Sequence, residues 1–352
     1  MEREENRRLS GMLKTDMEYL NRVLDVEKNF DIIYRVITIG GKEACMYLVD
    51  GFCKDDLIQK LLQYFMDKKP KELPEDMHGI SKQLTPYVEV DVEGRFETLI
   101  DSLLSGMFVL LIDGYDKALL IDSRTYPARG VEEPEKDKVL RGSKDGFVET
   151  VVFNTALIRR RIRSTDLHME MMSAGKSSRT DIVLCYMKGR VDEELLSAIR
   201  RKIRNIKVDS LTMNQESLAE CLYQRRWYNP FPKFKYTERP DAAAAQVLEG
   251  NLVILVDNSP AAMILPTTIF DVVEEADDYY FPPVTGTYLR ITRFLITLFT
   301  YFMTPTFLLL MNHQEWLPEG FSFVMLKEEP NIPLIWQFLI LELAIDGLKL
   351  AA

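Results

Sequence analysis

Two stretches of the sequence decide the fold: LLSGMFVLLIDGYDKALLI, from Leu103 to Ile121, and VLEGNLVILVDNSPAAMIL, from Val247 to Leu265. They align without a gap, so that Asp113 of the first stretch stands opposite Asp257 of the second. In each stretch two apolar runs flank a polar turn, which is typical of a β-hairpin. A repeat of this length predicts two copies of one α/β unit.

The segments that precede each hairpin extend the repeat. Asp31–Ile39 and Ala44–Asp50 are rich in β-branched and aromatic residues and predict strands, while Asp55–Met66 has the apolar spacing of an amphipathic helix. A strand over Asp181–Met187 and a helix over Glu193–Ile203 repeat this order in the second half. Further helices are predicted over residues 96–104, 147–163 and 165–174, and irregular structure over residues 67–93.

The C-terminal part of the sequence predicts membrane helices. Phe294–Met311 contains no charged residue and is about as long as the shortest helices that cross a bilayer. Arg290 and Arg293 precede this segment and acidic residues follow it, so the positive-inside rule places the large N-terminal part in the cytoplasm. Pro305 lies inside the segment, and a buried core helix with a proline kink is the alternative interpretation.

The predicted fold class is therefore α/β, with two similar mixed α/β cytosolic domains in tandem followed by transmembrane α-helices. The chain ends within an apolar pattern, which predicts a truncated membrane domain. The predicted parts are a polar, partly helical leader (1–25), a first α/β domain (26–128), a helical linker (129–164), a second α/β domain (165–280) and the start of a membrane domain (281–352), with a span at about 291–311 and a second apolar helix from 332.

The composition narrows the classes of function. The formal net charge is −10, whereas a general nucleic-acid binder needs a basic surface. The N-terminus has no apolar stretch of the kind that a signal peptide carries. The four cysteines form no Cys-x-x-Cys pair, and Cys45 and Cys185 lie in apolar runs that predict buried, reduced thiols.

No motif in the sequence indicates catalysis. The three histidines are isolated from one another, which argues against a catalytic triad or a metal centre. Gly175-Lys176-Ser177 is similar to the end of a phosphate-binding loop, but Glu170 stands where that motif needs a glycine, and a strand follows where it needs a helix. The sequence therefore predicts a protein that is not an enzyme and has no catalytic residue, metal site or cofactor.

A run of arginines is the strongest candidate for an interface. Arg159, Arg160, Arg161 and Arg163 lie close together on a predicted helix, where adjacent residues cannot all face one groove. One interpretation is a solvated helix that pairs with acids. The other is an interface between the two domains, between subunits, or with anionic headgroups. Glu238 and Arg239 are added to this candidate interface, and Arg290, Arg293 and Pro305 form a candidate membrane junction.

Three stretches carry a family resemblance. They are RGSKDGFVETVVFNTALIRRRIR (Arg141–Arg163), YNPFPKFKYTERPD (Tyr228–Asp241) and LEGNLVILVDNSPAAMILP (Leu248–Pro266). Together with the apolar tail they resemble the germinant-receptor A-subunit (GerA) family of spore germination membrane proteins over nearly the whole chain. Three further stretches resemble one individual member of that family: Ser123–Val139, Pro283–Arg293 and Ile332–Ala351.

The resemblance implies a location and a set of partners. Members of the family have a two-part cytosolic α/β region and a multi-pass membrane domain in the spore inner membrane, and they have no known catalytic residues. From this we expect a multi-pass protein of the spore inner membrane with a cytoplasmic N-terminal region. We also expect a homo-oligomer, a partner membrane subunit and contact with the lipid bilayer, and no nucleic acid.

The resemblance also implies a function. We expect a subunit of a spore germination complex that assembles through its cytosolic domains and contributes to ion release, with the connector Tyr279–Arg290 coupling those domains to the first membrane helix. One alternative is a nutrient-sensing A subunit of a germinant receptor. Another is a soluble ligand-binding α/β protein with an apolar C-terminal helix.

Overall fold

The structure is a computed structural model that describes residues 7–125, 145–223, 231–268, 270–271, 282–316, 320 and 331–351. The chain divides into two compact units, Met1–Val272 and Val273–Ala352. The first unit contains two five-stranded antiparallel sheets with helices on both faces, so the mixed α/β class is confirmed. The predicted limits of the individual domains stay predictions.

The first half of this unit, residues 7–125, builds the first sheet. Its helices are α1 (Leu13–Val23), α2 (Asp55–Met66) and α3 (Phe96–Leu104), and its strands are β1 (Ile32–Ile39), β2 (Lys42–Val49), β3 (Val90–Glu93), β4 (Phe108–Ile112) and β5 (Ala118–Ile121). A 3₁₀ turn at Pro70–Glu72, a short helical turn at Met77–Gly79 and a π turn at Ile80–Leu84 lie between α2 and β3.

The second half, residues 145–271, builds the second sheet. Its helices are α4 (Val151–Arg161), α5 (Glu193–Arg204), α6 (Asn214–Leu222) and α7 (Pro240–Glu249), and its strands are β6 (Leu167–Ala174), β7 (Thr180–Met187), β8 (Lys235–Thr237), β9 (Leu252–Val256) and β10 (Ala262–Leu265). The two sheets have the orders β1-β2-β4-β5-β3 and β6-β7-β9-β10-β8, which are the same order in two copies.

The inner strands β4, β5, β9 and β10 are buried because helices cover both faces of each sheet. Every residue of β4 and of β9 is buried. In the first sheet α1 and α3 pack on one face and α2 on the other; in the second, α4 and α7 pack on one face and α5 and α6 on the other. Uninterrupted apolar runs such as FVLLI and LVILV suit strands that have a core on each side.

The repeat extends to individual hydrogen bonds around the β-hairpins. The carboxylate of Asp113 accepts a bond of 3.1 Å from the backbone N–H of Leu13, and that of Asp257 accepts a bond of 3.1 Å from Val151. Each aspartate thus satisfies a free N–H in the first turn of the helix that opens its half. The backbone N–H of Asp113 also bonds to the Glu43 carbonyl, and that of Asp257 bonds to the Asp181 carbonyl in the same way.

Two predictions of local structure need correction. The helix predicted over residues 165–174 is wrong, because Leu167–Ala174 is strand β6 and pairs along its whole length with β7. The segment contains good helix formers, and pairing with a buried neighbour overrides that preference. The segment 67–93, predicted as irregular, ends in strand β3. The leader 1–25, predicted as polar and partly helical, does contain a helix, α1, whose apolar face is buried in the first half.

The second compact unit consists of helices. Helix α8 runs from Pro283 to Asn312, and helix α9 runs from Leu334 to Ala351. The rings of Phe307 and Phe338 meet edge to face at 5.9 Å, so the two helices contact each other there. Among the described residues, α8 is the one helix that is long and apolar enough to cross a membrane. Its side chains are largely exposed, with 62% of Phe299 accessible.

Candidate functional site

The two halves of the first unit meet along helix α4. Ala156 of this helix belongs to the apolar core of the first half, whereas the next two residues, Leu157 and Ile158, belong to the core of the second half. Gly51, in the turn after β2, lies so close that a Cβ there would be 3.1 Å from the Cβ of Ala156. Helix α4 is therefore part of both halves.

Arg159 makes a buried ion pair between the halves. Its side chain is fully buried, and its Nε and Nη2 donate bonds of 2.7 and 3.0 Å to the two carboxylate oxygens of Asp31, which is also buried. Its Nη1 donates to the carbonyls of Ser164 and Leu167, each at 3.2 Å. A planar guanidinium suits this arrangement, because it can hold both oxygens of one carboxylate and still bond to the backbone.

The segment that leads into β1 also contacts the edge strand of the second sheet. The side-chain oxygen of Asn29 accepts a bond of 2.9 Å from the N–H of Met169, and the N–H of Phe30 donates to the Met169 carbonyl at 3.2 Å. The side-chain amide of Asn29 donates to the Leu24 carbonyl at 2.8 Å. The contact therefore satisfies backbone groups at the edge of β6 with groups from the other half.

A charged cluster borders this contact. The Asp25 carboxylate lies 3.3 Å from the Nζ of Lys28, 3.3 Å from the Nζ of Lys188 and 3.4 Å from the Nε2 of His168. Burial opposes ionisation of Asp25, but hydrogen bonds from Lys188 and Lys28 outweigh it and lower the pKa of Asp25. His168 is buried with its ring edge against Tyr186.

The pKa of His168 is lowered, mainly because burial disfavours the charged imidazolium. The charge of Asp25 opposes this effect, while the charges of Lys188, Lys28 and Arg159 add to it. Among the described residues, the Nε2 of His168 makes no hydrogen bond. The imidazole is therefore held neutral near pH 7 in a position where a proton would be poorly tolerated.

The structure separates the four arginines that the sequence grouped together. Arg159 is buried, whereas Arg160 and Arg163 are exposed. Arg161 is partly exposed and pairs with Asp145 at 2.5 Å, and it also donates to the Leu157 carbonyl. Their role at a contact with another subunit or with headgroups stays a prediction.

Glu238 and Arg239 lie at the start of α7, within the second half. The Glu238 carbonyl accepts a bond of 2.8 Å from the N–H of Phe147. The Arg239 side chain is buried and donates two bonds to the carboxylate of Asp241, at 3.1 and 2.6 Å. Both residues therefore contact other residues of the second half. A role of Glu238 and Arg239 at an interface stays a prediction.

The residues of the candidate membrane junction lie inside helix α8. The helix begins at Pro283, so the second part of the predicted connector Tyr279–Arg290 is helical, while residues 279–281 lie outside the described residues. Arg290 and Arg293 are partly exposed in its N-terminal half. Pro305 lies in its interior, where it has no N–H to donate to the preceding turn. The hydroxyls of Thr297 and Thr300 bond to carbonyls four residues earlier, as in membrane helices.

Sequence reasoning missed four residues of the contact between the halves: Asp25, Asn29, Asp31 and His168. Asp31 and Arg159 are 128 residues apart in the chain, and no local pattern links them. The one available signal was an acid, Asp31, directly before an apolar strand. Among the described residues, no group of three or more His, Cys, Asp and Glu side chains is arranged to hold a metal ion.

Comparison with known proteins gives the family context of this fold. Residues 18–352 match the family model described as Bacillus/Clostridium GerA spore germination protein. Stage V sporulation protein AF of Bacillus subtilis (strain 168) is 37% identical over 336 residues, which cover 95% of this chain and 68% of that protein. The uncharacterized membrane protein YfkQ of the same organism is 29% identical over 354 residues, covering 99% of this chain and 68% of that protein.

A solved structure shows the same fold. The N-terminal domain of the A subunit of the Bacillus megaterium spore germinant receptor GerK3 superposes with a TM-score of 0.57 at 26% sequence identity. The match covers 75% of this chain and 98% of that domain. The chain itself spans about two thirds of the length of the two Bacillus subtilis relatives, 68% in each case.

Proposed function

The chain belongs to the GerA family of spore germination proteins, and on that basis we propose that it is a subunit of a germination complex in the spore inner membrane. In this proposal it assembles through its cytosolic α/β halves and contributes to ion release when the spore germinates. The observation that carries the proposal is the likeness to stage V sporulation protein AF along 95% of this chain.

The exposed helix α8 supports a place in a membrane. Leu295, Phe299 and Phe302 are each more than half accessible, and burying such side chains in lipid removes apolar surface from water. Arg290 and Arg293 lie before the uncharged part of α8, and by the positive-inside rule they support our proposal that the first compact unit is cytoplasmic. In our proposal α8 and α9 belong to a multi-pass membrane domain.

The contact between the halves supports a role in transmission. The buried pair of Arg159 and Asp31, together with helix α4, ties the two sheets to each other. Subunits that associate through one half therefore move the other half with it. In our proposal this coupling carries changes in assembly to helix α8, which follows the second half in the chain.

Release of monovalent cations and dipicolinate from germinating spores tests the proposal. Spores of the source organism that lack the gene are expected to release both more slowly, because one subunit of the release complex is missing. The intact gene should restore the rate, whereas a gene that stops after Asp271, which keeps the α/β halves and removes α8, should not. Unaltered release in the deletion, with the protein present in wild-type spores, would contradict the proposal.

A second candidate function is a nutrient-sensing A subunit, which the likeness to the A subunit of GerK3 favours. The same deletion separates the two. A nutrient sensor accounts for the response to one germinant and leaves the response to others unchanged. A general subunit of the release complex slows release after every germinant.

A further inference from the structure

A basic patch at one end of the second sheet has no role in the contacts described above. It consists of Lys176 and Arg179, in the turn between β6 and β7, and of Arg204 and Lys207, at and after the end of α5. We propose that this patch docks the α/β halves on an anionic membrane surface. The inference rests on the proposed function in one respect, namely that the chain works beside a bilayer.

The turn between β6 and β7 is fixed against the segment after α5. The N–H of Lys176 donates to the Val208 carbonyl at 3.2 Å, and the N–H of Ser177 donates to the Asp209 carbonyl at 2.8 Å. The hydroxyl of Ser177 also donates to the Asp209 carboxylate at 2.7 Å. These bonds hold Lys176 beside Lys207, the neighbour of Val208, so cations from two separate segments share one surface.

The four cations of the patch are exposed, and none has an acidic partner in the part of the chain that the structure describes. The carboxylate of Asp209, two residues after Lys207, accepts the Ser177 hydroxyl. Other cations of the same half are paired: Arg159 with Asp31, and Arg200 with Glu170 at 2.7 Å. The patch is therefore an excess of positive charge on a chain whose net charge is −10.

The first half has a different surface at the turn between β1 and β2, which corresponds to the turn between β6 and β7. Two residues, Gly40 and Gly41, separate β1 from β2, whereas five residues separate β6 from β7. The short turn lies against the apolar side chains of Leu73 and Pro70. Lysines in the segment after α2 are interspersed with acids, as in Lys71-Glu72. The longer turn and its unpaired cations are therefore an addition in the second half.

The chemistry of the patch favours a diffuse anionic surface over a single bound phosphate. A phosphate loop needs free backbone N–H groups, and here those of Lys176, Ser177 and Ser178 bond to carbonyls of residues 208 and 209. What remains is four cations on flexible aliphatic stems, next to Val208, which is 37% exposed. Anionic lipids attract such cations by roughly 1 kcal/mol each, about a fivefold change in partitioning per residue.

Binding to lipid vesicles tests this proposal with the chain that ends at Asp271. That part is a compact unit with its own cores, and the solved relative is likewise a separate N-terminal domain. The chain is expected to sediment with vesicles of phosphatidylcholine mixed with phosphatidylglycerol, and not with phosphatidylcholine alone. High salt should release it, because salt screens exposed charges.

The decisive variant replaces Lys176, Arg179, Arg204 and Lys207 by glutamine. It should bind the anionic vesicles at least about tenfold more weakly, as expected for the loss of several surface cations. The matched control changes the net charge equally by replacing four exposed lysines of the first half with glutamine: Lys14, Lys60, Lys71 and Lys82. Circular dichroism and thermal melting show whether both variants are folded.

Each outcome decides the proposal. Loss of binding in the patch variant alone supports it. No binding of the unaltered chain to anionic vesicles, or equal loss in patch and control variants, overturns it. Binding to polyglutamate without binding to vesicles also overturns it and assigns the patch to an acidic protein partner. None of these results depends on ion release from spores, so the proposed function can fail independently.

Discussion

The two halves of the α/β unit share a strand order and differ in side chains at the ends of their helices. The strand order is the same in both, and Asp113 and Asp257 receive equivalent hydrogen bonds from the helices that open each half. By contrast, Arg95 at the start of α3 is about half exposed, with its Nε 3.5 Å from Glu93, while Arg239 at the start of α7 is buried and bound to Asp241.

This difference shows which parts of the repeat are constrained. Groups that satisfy backbone N–H and carbonyl groups near the hairpins recur because the sheet needs them in either copy. Side chains that satisfy no backbone group of the sheet or its helices are free to differ between the copies, since the shared fold does not depend on them. The contact between the halves uses this freedom, because Asp31 and Arg159 occupy different places in their halves. Three experiments test the comparison.

The largest effect is expected from Arg159→Met. It leaves the carboxylate of Asp31 buried without its partner, which costs about 3–5 kcal/mol of the free energy of unfolding. Denaturant unfolding of the chain that ends at Asp271 measures this cost. Arg161→Met is the matched control, since its pair with Asp145 is partly exposed and contributes about 0–1 kcal/mol.

A double variant sharpens the result for Arg159. Asp31→Leu combined with Arg159→Met removes both charges and is expected to regain part of the lost stability. If Arg159→Met cost no more than Arg161→Met, the buried pair would not hold the halves together.

A smaller and symmetrical effect is expected at the two capping aspartates. Asp113→Ala and Asp257→Ala should each lower the free energy of unfolding by about 1 kcal/mol, because each removes the acceptor for an N–H in the first turn of a helix. The two changes should add in the double variant, since the sites lie in separate sheets. The corresponding asparagine variants keep an acceptor oxygen and serve as controls. If only one of the two alanine variants lowered the free energy of unfolding, the two halves would share the hydrogen-bond geometry without sharing its contribution to stability.

The smallest effect is expected from His168, and it depends on pH. Its pKa is lowered in the folded chain, so the folded state binds fewer protons than the unfolded state, and stability falls as the pH drops below about 6.5. His168→Gln should make this fall shallower, as measured by denaturant unfolding at a series of pH values. Asp25, whose pKa is also lowered, contributes only in a more acidic window. Identical pH profiles in the two proteins would rule out a role for His168.

The β-hairpins and the repeat could be predicted from the sequence because their signals are local. The apolar runs before and after Asp113 and Asp257 are long and end at turns, and the structure confirms them as β4, β5, β9 and β10. The helix over Asp55–Met66 is confirmed with the same bounds. These elements are determined by residues within a few positions of one another.

The remaining elements depend on distant partners. Strand β8 is Lys235–Thr237, too short to give a pattern, and it is a strand because it pairs with β10. Strand β6 has a helical composition and is a strand because it pairs with β7. The contact between the halves depends on residues far apart in the chain, so no spacing rule reveals it. The sequence also grouped Arg159, Arg160, Arg161 and Arg163, of which only Arg159 is buried at that contact.

Helix α4, which contributes to both cores, has a consequence for how the chain is made. A ribosome that adds roughly 5–20 residues per second completes residues 7–125 several seconds before Leu157 and its neighbours follow. During that interval the surface around Gly51, which Ala156 later covers, faces water or a chaperone. The order of synthesis therefore makes the two copies unequal: the second half folds onto a nearly finished first half, while the first half waits for one helix of the second.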